Sequence, residues 1–101
     1  MIVLTVCYET GTPLDAEYYY GTHMPLVMKL ESYGLRRAEA RKILGTPMGN
    51  PARYQLIASL YFDDANALRA AMGSEEGRAL ATDVGNFYNG EPDFMIGEVD
   101  A

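Results

Sequence analysis

The stretch YQLIASLYF at residues 54–62 decides the fold, because nearly every position in it is apolar. A second run of this kind, IVLTVCY, occupies residues 2–8. Short, continuous apolar runs are typical of strands that are buried on both faces, whereas a strand with one solvent-exposed face alternates apolar and polar residues. We therefore predict that both segments are central strands of one sheet.

Two further segments have the features of edge strands. Residues 35–43 carry charged side chains on both faces, which protects an edge against pairing with other molecules. Residues 94–99 follow Pro92 and contain Gly97, and both residue types are tolerated better at an edge than at the centre of a sheet. We predict that these segments flank the two central strands.

The segment between the first two predicted strands contains signals for a helix. Thr12 can cap it, Pro13 can occupy its first helical position, and Asp15 can complete a capping box. The helix is expected to run toward Ser32. Pro25 interrupts it, because proline lacks the amide hydrogen and its ring crowds the preceding turn. We predict a kink over residues 21–25.

A second helical region is predicted after residues 54–62. Asp63 is the expected cap of its first helix, and Gly73 is the expected stop. Ser74 then caps a further helix, which Gly85 ends.

The resulting order is β-α-β-β-α-β, which predicts an α+β fold of the ferredoxin-like class in a single domain, residues 1–101. In this arrangement a four-stranded antiparallel sheet carries its helices on one face. The central strands then need cover on a second face that no helix supplies. We expect a second copy of the chain to provide that cover, as a homodimer through the sheet face.

Composition limits the possible partners and the compartment. Fourteen acidic against eight basic residues give a net charge of −6, which argues against binding to nucleic acid or to an anionic membrane. The apolar run at residues 2–8 is too short to span a bilayer and has no basic leader. A lone cysteine cannot form an internal disulfide, so a reducing, cytoplasmic location is expected.

His23 is the best candidate for chemistry. It is the only histidine in the chain, and its side chain can exchange a proton near neutral pH, as a general base acting on a phenol, enol or lactone would. Tyr19 lies four residues earlier, on the same side of a helix, where it could orient the imidazole or a substrate oxygen. Alternatively, His23 bonds a carbonyl freed by Pro25 and only shapes the kink. Phe87 could close a pocket mouth or simply anchor a loop.

The central strands offer one polar face and one apolar face. Thr5 and Cys7 share a face of the first strand, and Ser59 and Tyr61 share a face of the third. We assign that face to a substrate cleft, although Cys7 can also be inert packing and the hydroxyls can satisfy each other. The opposite, purely apolar set belongs under the helices: Leu4, Val6, Leu56, Ala58 and Leu60.

Two segments carry a resemblance to a known family: Asp15–Val27, which reads DAEYYYGTHMPLV, and Leu60–Phe62 followed by SEEG at residues 74–77. They resemble the EthD family, named for a protein of ethyl tert-butyl ether degradation. The likeness extends along the chain, through GLRR at residues 34–37, Asn86-Phe87 and Glu91-Pro92. It implies a dimeric α+β barrel, in which two sheets pack face to face and each subunit has a cleft.

The resemblance implies a range of activities but no single reaction. Related proteins include cofactor-free monooxygenases, lactone isomerases, polyketide cyclases and haem-handling proteins. We expect a cofactor-free enzyme of isomerase, cyclase or monooxygenase type that acts on a small aromatic or oxygenated molecule, with His23 as acid/base. The alternative is a non-catalytic accessory or hydrophobic-ligand-binding protein of an oxygenase or degradation system.

Cofactor and metal sites are weakly indicated by the sequence. One histidine and one distant cysteine cannot supply a zinc set, and no glycine-rich phosphate loop follows a strand. Haem needs a single axial histidine, so His23 leaves haem binding as a minority alternative. Family members often have histidine at the position of Ser59, so this chain lacks the second histidine of a two-histidine mechanism.

Overall fold

The sheet has four antiparallel strands in the order β2-β3-β1-β4 in the computed structural model, which describes residues 1–101. Their bounds are Ile2–Glu9 for β1, Leu35–Lys42 for β2, Tyr54–Phe62 for β3 and Asp93–Glu98 for β4. The predicted ferredoxin-like α+β fold is confirmed. The two apolar runs form the central strands, and the charged and glycine-containing segments form the edges.

All helical segments pack against one face of this sheet. The first region comprises α1 (Ala16–Tyr18), a π-helical turn (Tyr19–His23), α2 (Met24–Val27) and a 3-10 helix (Met28–Tyr33). The second comprises α3 (Ala65–Gly73), α4 (Glu75–Asp83) and a 3-10 turn (Val84–Asn86). No helix here has the length and apolar character needed to cross a membrane.

The first helix begins later than its sequence signals predict. Asp15 is the cap, and its carboxylate accepts a hydrogen bond from the Tyr18 amide. The predicted start at Thr12 and Pro13 is wrong because Leu14 forms an isolated β-bridge with Tyr88. That bridge holds the backbone before Asp15 extended, so the helix cannot start earlier.

The second helical region is capped by Asp64 rather than by the predicted Asp63. The Asp64 carboxylate accepts from the Ala67 amide at 2.8 Å. The Asp63 carboxylate instead forms an ion pair with Arg36, whose guanidinium donates to both carboxylate oxygens at 2.7 and 2.6 Å. The predicted break is confirmed, since α3 ends at Gly73 and the Ser74 hydroxyl caps α4.

The predicted kink is present as a widened turn before Pro25. The backbone of Tyr19–His23 forms a π-helical turn, in which the Met24 amide donates to the Tyr19 carbonyl, and Pro25, which has no amide hydrogen, follows directly in the first turn of α2. Such turns insert one extra residue and are frequent at functional sites. Here the turn contains both candidate residues of the first helical region.

The core lies between the sheet and the helices. As predicted, it contains the apolar residues of one face of the central strands: Leu4, Val6, Leu56, Ala58 and Leu60. The residues that alternate with them face away from the helices, and no helix covers that side, although neighbouring side chains bury Cys7 and Ser59 there. On β4 the apolar side chains of Phe94, Met95 and Ile96 are all exposed.

Candidate active site

His23 lies at the end of the π-helical turn and is buried, with 6% of its surface exposed. Its ring stacks on Tyr19, with centroids 5.4 Å apart and planes at 28°. The Phe87 ring lies on another side, with its centroid 4.6 Å away. The predicted pairing of Tyr19 with His23 is therefore present, and the two aromatic rings fix the plane of the imidazole.

The Nδ1 atom of His23 is 2.9 Å from Oδ2 of Asp83, at the end of α4. This contact replaces the alternative in which His23 bonds a backbone carbonyl near Pro25. Sequence reasoning missed Asp83, because its partner lies 60 residues away in the chain. A signal was present: Asp83 follows the inward-facing Leu80 by three residues, so it lies on the buried face of α4.

The other carboxylate oxygen of Asp83 is also fully engaged. Oδ1 accepts a hydrogen bond from the Tyr18 hydroxyl at 2.6 Å and one from the Asn86 amide at 3.0 Å. Burial on its own would raise the pKa of Asp83, but the hydrogen bonds from Tyr18, Asn86 and His23 outweigh it and hold that pKa below its usual value. Asp83 is thus an ionised acceptor for the proton on Nδ1.

The second ring nitrogen of His23, Nε2, has no hydrogen-bond partner within the chain. Every fully buried side-chain nitrogen and oxygen in the chain has a hydrogen-bond partner. Because Nε2 has none, it is not fully buried. With Asp83 accepting from Nδ1, the neutral imidazole presents Nε2 as a free acceptor. The group that can take up a proton is therefore the one that is accessible.

His23 lines a cavity of about 90 Å³ between the sheet and the helices. Twelve of the fourteen lining residues are hydrophobic, and none of them is lysine, arginine, aspartate or glutamate. Phe94 of the edge strand β4 stands at its border with solvent and is 60% exposed. The cavity thus suits an uncharged, largely apolar molecule.

Two phenol groups add polar character to this cavity. Tyr8 and Tyr19 line it, with their ring centroids 5.7 Å apart, and no hydrogen bond within the chain engages either hydroxyl. Both hydroxyls therefore keep some exposure, because every fully buried side-chain oxygen has a partner. Burial raises the pKa of both tyrosines, so both hydroxyls stay protonated and can donate. Tyr8 was missed at the sequence level, where it belongs to an apolar run. Its alternation with Leu4 and Val6 was the available signal.

The structure divides the predicted site residues into two groups. His23, Tyr19 and Phe87 meet under the helices. Thr5, Cys7, Ser59 and Tyr61, which we assigned to the cleft, lie on the opposite face of the sheet: Thr5 pairs with Ser59, and the other two occupy neighbouring rows. One cleft cannot contain both groups in a single chain, because the sheet separates them.

The predicted residues on the opposite face of the sheet make local contacts of their own. The Arg37 guanidinium lies over the Tyr61 ring, 4.2 Å from the centroid. Cys7 is buried, and burial together with the Asp93 carboxylate raises the pKa of its thiol. A raised pKa reduces the thiolate fraction, which agrees with Cys7 as packing rather than as a nucleophile.

Haem does not fit the cavity as it stands. Nε2 of His23 could ligate an iron, but a porphyrin is several times larger than the 90 Å³ beside it. No group of three or more His, Cys, Asp or Glu side chains is arranged to hold a metal ion.

Comparison with known proteins gives a consistent family match. The model of the EthD domain matches residues 15–91. An EthD family protein from Bacillus halodurans C-125 is 36% identical with a TM-score of 0.86, and the match covers 99% of each chain. An EthD-like protein from Ralstonia eutropha JMP134 is 26% identical with a TM-score of 0.85, over 99% of this chain and 92% of that one.

A more distant structure shares the fold. A dimeric ferredoxin-like protein of unknown function from Thermobifida fusca YX is 14% identical with a TM-score of 0.63, over 97% of this chain and 89% of that one. No curated protein sequence matches this chain at a significant level.

Proposed function

The chain belongs to the EthD family, and we propose that it is a cofactor-free enzyme that moves a proton on a small, neutral, oxygenated organic molecule. One observation carries this proposal. His23 is hydrogen-bonded through Nδ1 to a buried carboxylate whose pKa is lowered, its Nε2 has no partner within the chain, and the residue lines an apolar cavity. A ring nitrogen without a partner in the chain is free to accept a proton from a bound molecule.

In the proposed reaction, Nε2 of His23 removes a proton from a carbon or hydroxyl of the bound molecule. The Asp83 carboxylate holds the ring in the tautomer that exposes Nε2, and it stabilises the imidazolium that forms. The same imidazolium can return the proton at another atom, which makes an isomerisation or cyclisation possible without any cofactor. A proton-abstraction step of this kind is also the first step expected of a cofactor-free monooxygenase.

The phenols of Tyr8 and Tyr19 suit the charge that such a step creates. Removing a proton next to a carbonyl, or from a phenol, leaves a developing negative charge on oxygen. A protonated phenol in a dry site can donate a hydrogen bond to that oxygen, and donors of this kind contribute strongly to rate enhancement. We assign this role to Tyr19, which stacks on His23, and to Tyr8 beside it.

The cavity also limits the substrate. No cationic side chain lines it, so a phosphate, sulfate or carboxylate would enter without a partner and at a desolvation cost. Its volume accommodates part of one ring, and Phe94 at the border leaves a path for the rest of the molecule. A neutral aromatic or alicyclic ketone, lactone or phenol meets these conditions.

Proton exchange in D₂O tests this proposal even while the natural substrate is unidentified. A panel of neutral ketones, lactones and phenols is first screened for binding, and deuterium uptake at their carbon positions is followed by NMR, since hydroxyl hydrogens exchange without a catalyst. We expect uptake with the native protein and a loss of about 10²- to 10⁴-fold in the His23→Gln variant. Binding with equal uptake in the two proteins would refute the proposal.

A second function is favoured by the character of the lining. Because twelve of fourteen lining residues are hydrophobic, the same cavity could shelter an apolar ligand without reacting with it, as an accessory protein of an oxygenase or degradation system would. In the exchange experiment this function predicts binding by the native protein with no deuterium uptake for any bound compound.

We propose further that the protein works as a homodimer through the open face of its sheet. Support comes from the central strands β1 and β3, whose face opposite the helices carries no helix and leaves Val3, Thr5, Ile57 and Tyr61 partly exposed. The structurally similar protein from Thermobifida fusca is described as dimeric, and it shares the fold. A cytoplasmic location, predicted from the single cysteine, remains part of this proposal.

A further inference from the structure

The hydrogen-bonding groups of the cavity are confined to one of its ends. Among the fourteen lining residues, only Tyr8, Tyr19 and His23 have a side-chain nitrogen or oxygen. These three rings lie together, since the Tyr19 centroid is 5.7 Å from that of Tyr8 and 5.4 Å from that of His23. We call this part of the cavity, formed by these three residues, the polar end.

The cavity extends away from the polar end along two elements. On β1 the lining runs from Tyr8 back to Leu4, which is about 13 Å of strand. On the α4 side it runs from Val84 back to Gly77, which is about 10 Å of helix. Val84 belongs to the polar end of this path, because the residue before it is bonded to His23. The cavity is therefore elongated, and Leu4 and Gly77 lie away from the imidazole.

The end away from His23 is apolar throughout. Leu60 belongs to it, because it pairs with Leu4 across the sheet. Met72 belongs to it as well, because its Cα lies 3.0 Å from the position that a Cβ atom on Gly77 would take. We call the lining by Leu4, Leu60, Met72 and Gly77 the apolar end. A polar group placed there would lose its water without gaining a hydrogen bond from a side chain, which is unfavourable.

Two alanines keep the polar end and the apolar end connected. Ala58 is buried in the middle row of the sheet, where it pairs with Val6 of β1. Ala81 lies between the two ends on α4, and both alanines line the cavity. A volume of about 90 Å³ spread over this length leaves a slim passage. Such a passage suits an unbranched chain and excludes a second ring or a bulky branch.

We infer that the substrate carries an unbranched apolar chain next to its oxygenated group, and that the apolar end binds this chain. The inference rests on the proposed function and deepens it by naming the substrate class. With the chain held in the apolar end, the oxygenated group lies against the phenols of the polar end, and the carbon beside it faces Nε2 of His23. The chain thus determines which carbon loses its proton.

A series of methyl ketones tests the apolar end with the native protein. The second, unbranched alkyl group is lengthened stepwise from methyl to octyl, and Kd is measured by NMR titration. We expect Kd to fall by about fourfold for each methylene that enters the cavity, and to level off once the chain is longer than the cavity. No gain along the series, whether the ketones bind equally or not at all, would overturn the inference.

A pair of isomers distinguishes the slim apolar end from an apolar surface of any other shape. Butyl methyl ketone and tert-butyl methyl ketone have the same formula, but the tert-butyl group is too wide for the passage between Ala58 and Ala81. We expect the butyl compound to bind more tightly by about tenfold or more. Equal affinities would overturn the inference.

Ala58→Val narrows the passage from the sheet. Its added methyl groups extend into the cavity, and valine suits a strand position. Hexyl methyl ketone should bind this variant more weakly than the native protein by about tenfold or more. Ala40→Val is the matched control, because Ala40 pairs with Ala58 on β2 but does not line the cavity, and it should bind like the native protein. With both variants folded by circular dichroism, equal affinities of the two would overturn the inference.

Deuterium uptake from D₂O into the same ketones separates this inference from the proposed function. Uptake by the native protein without any gain in affinity along the series would remove the chain site and leave the proposed function in place. A gain in affinity without uptake into any ketone would support the chain site and refute the proposed proton transfer. We expect both the gain in affinity and the uptake.

Discussion

At the scale of single residues, the proposed chemistry depends on a chain of hydrogen bonds from Tyr18 through Asp83 to His23. Asp83→Asn keeps the size of the side chain but loses the charge that holds the imidazole. Because Asp83 does not line the cavity, we expect kcat for deuterium exchange to fall by about 10²-fold or more with little change in KM. Asp63→Asn, which alters an exposed ion pair, is the control and should leave kcat unchanged.

The Tyr18 hydroxyl contributes to the low pKa of Asp83, so Tyr18→Phe should raise it. A carboxylate with a lowered pKa supplies stability that is present above its unfolded value and is lost as the pH falls through its folded value. The variant should therefore begin to lose this stability at a higher pH than the native protein, and be less stable than it at neutral pH.

Urea unfolding at a series of pH values measures both effects. Tyr20→Phe is the matched control, because Tyr20 is exposed and its hydroxyl has no hydrogen bond in the chain. Equal acid-side stability curves for Tyr18→Phe and the native protein would show that Tyr18 does not act on Asp83.

At the scale of secondary-structure elements, the close crossing of α3 and α4 shapes the cavity. A Cβ atom on Gly77 would clash with the backbone oxygen of Ala71, so the helices would have to separate. We expect Gly77→Ala to destabilise the protein by about 2 kcal/mol or more, measured by urea unfolding. Gly85→Ala meets nothing within 4 Å and should differ from native by about 0.5 kcal/mol or less. Equal stabilities of the two variants would contradict this packing.

The elements also show what sequence could and could not predict. The division into central and edge strands followed from local patterns, because a continuous apolar run must be buried on both faces of a sheet. The helix starts at Asp15 and Asp64 were missed, because they depend on long-range contacts that the local sequence does not show. Leu14 is held in a β-bridge by Tyr88, and the Asp63 carboxylate is bound by Arg36. The residues of the candidate site divide in the same way between local patterns and long-range contacts. His23 with Tyr19 was predictable from spacing, whereas Asp83 comes from another helix.

At the scale of the whole molecule, the separation of the predicted site by the sheet points to an open face that a second copy can use. Met95 lies on the open face, opposite Thr5, and is 53% exposed in the single chain, so Met95→Asp should change the stability of the folded monomer by no more than about 0.5 kcal/mol. In the proposed dimer it would place a charge in an apolar contact, and the dimer should dissociate. Met48→Asp, in an exposed loop, is the control. Analytical ultracentrifugation distinguishes the two variants, and a dimeric Met95→Asp variant would exclude the open face of β4 from the interface.

The central claim is that the folded protein presents Nε2 of His23 to the cavity with the proton on Nδ1. Since the chain has one histidine, a long-range ¹⁵N–¹H correlation spectrum of the imidazole reports on this residue alone. We predict the Nδ1–H tautomer for the neutral ring, and a shift of the Nε2 resonance when a bound ketone, lactone or phenol enters the cavity. A ring protonated at Nε2, or an Nε2 resonance unmoved by any bound compound, would contradict it.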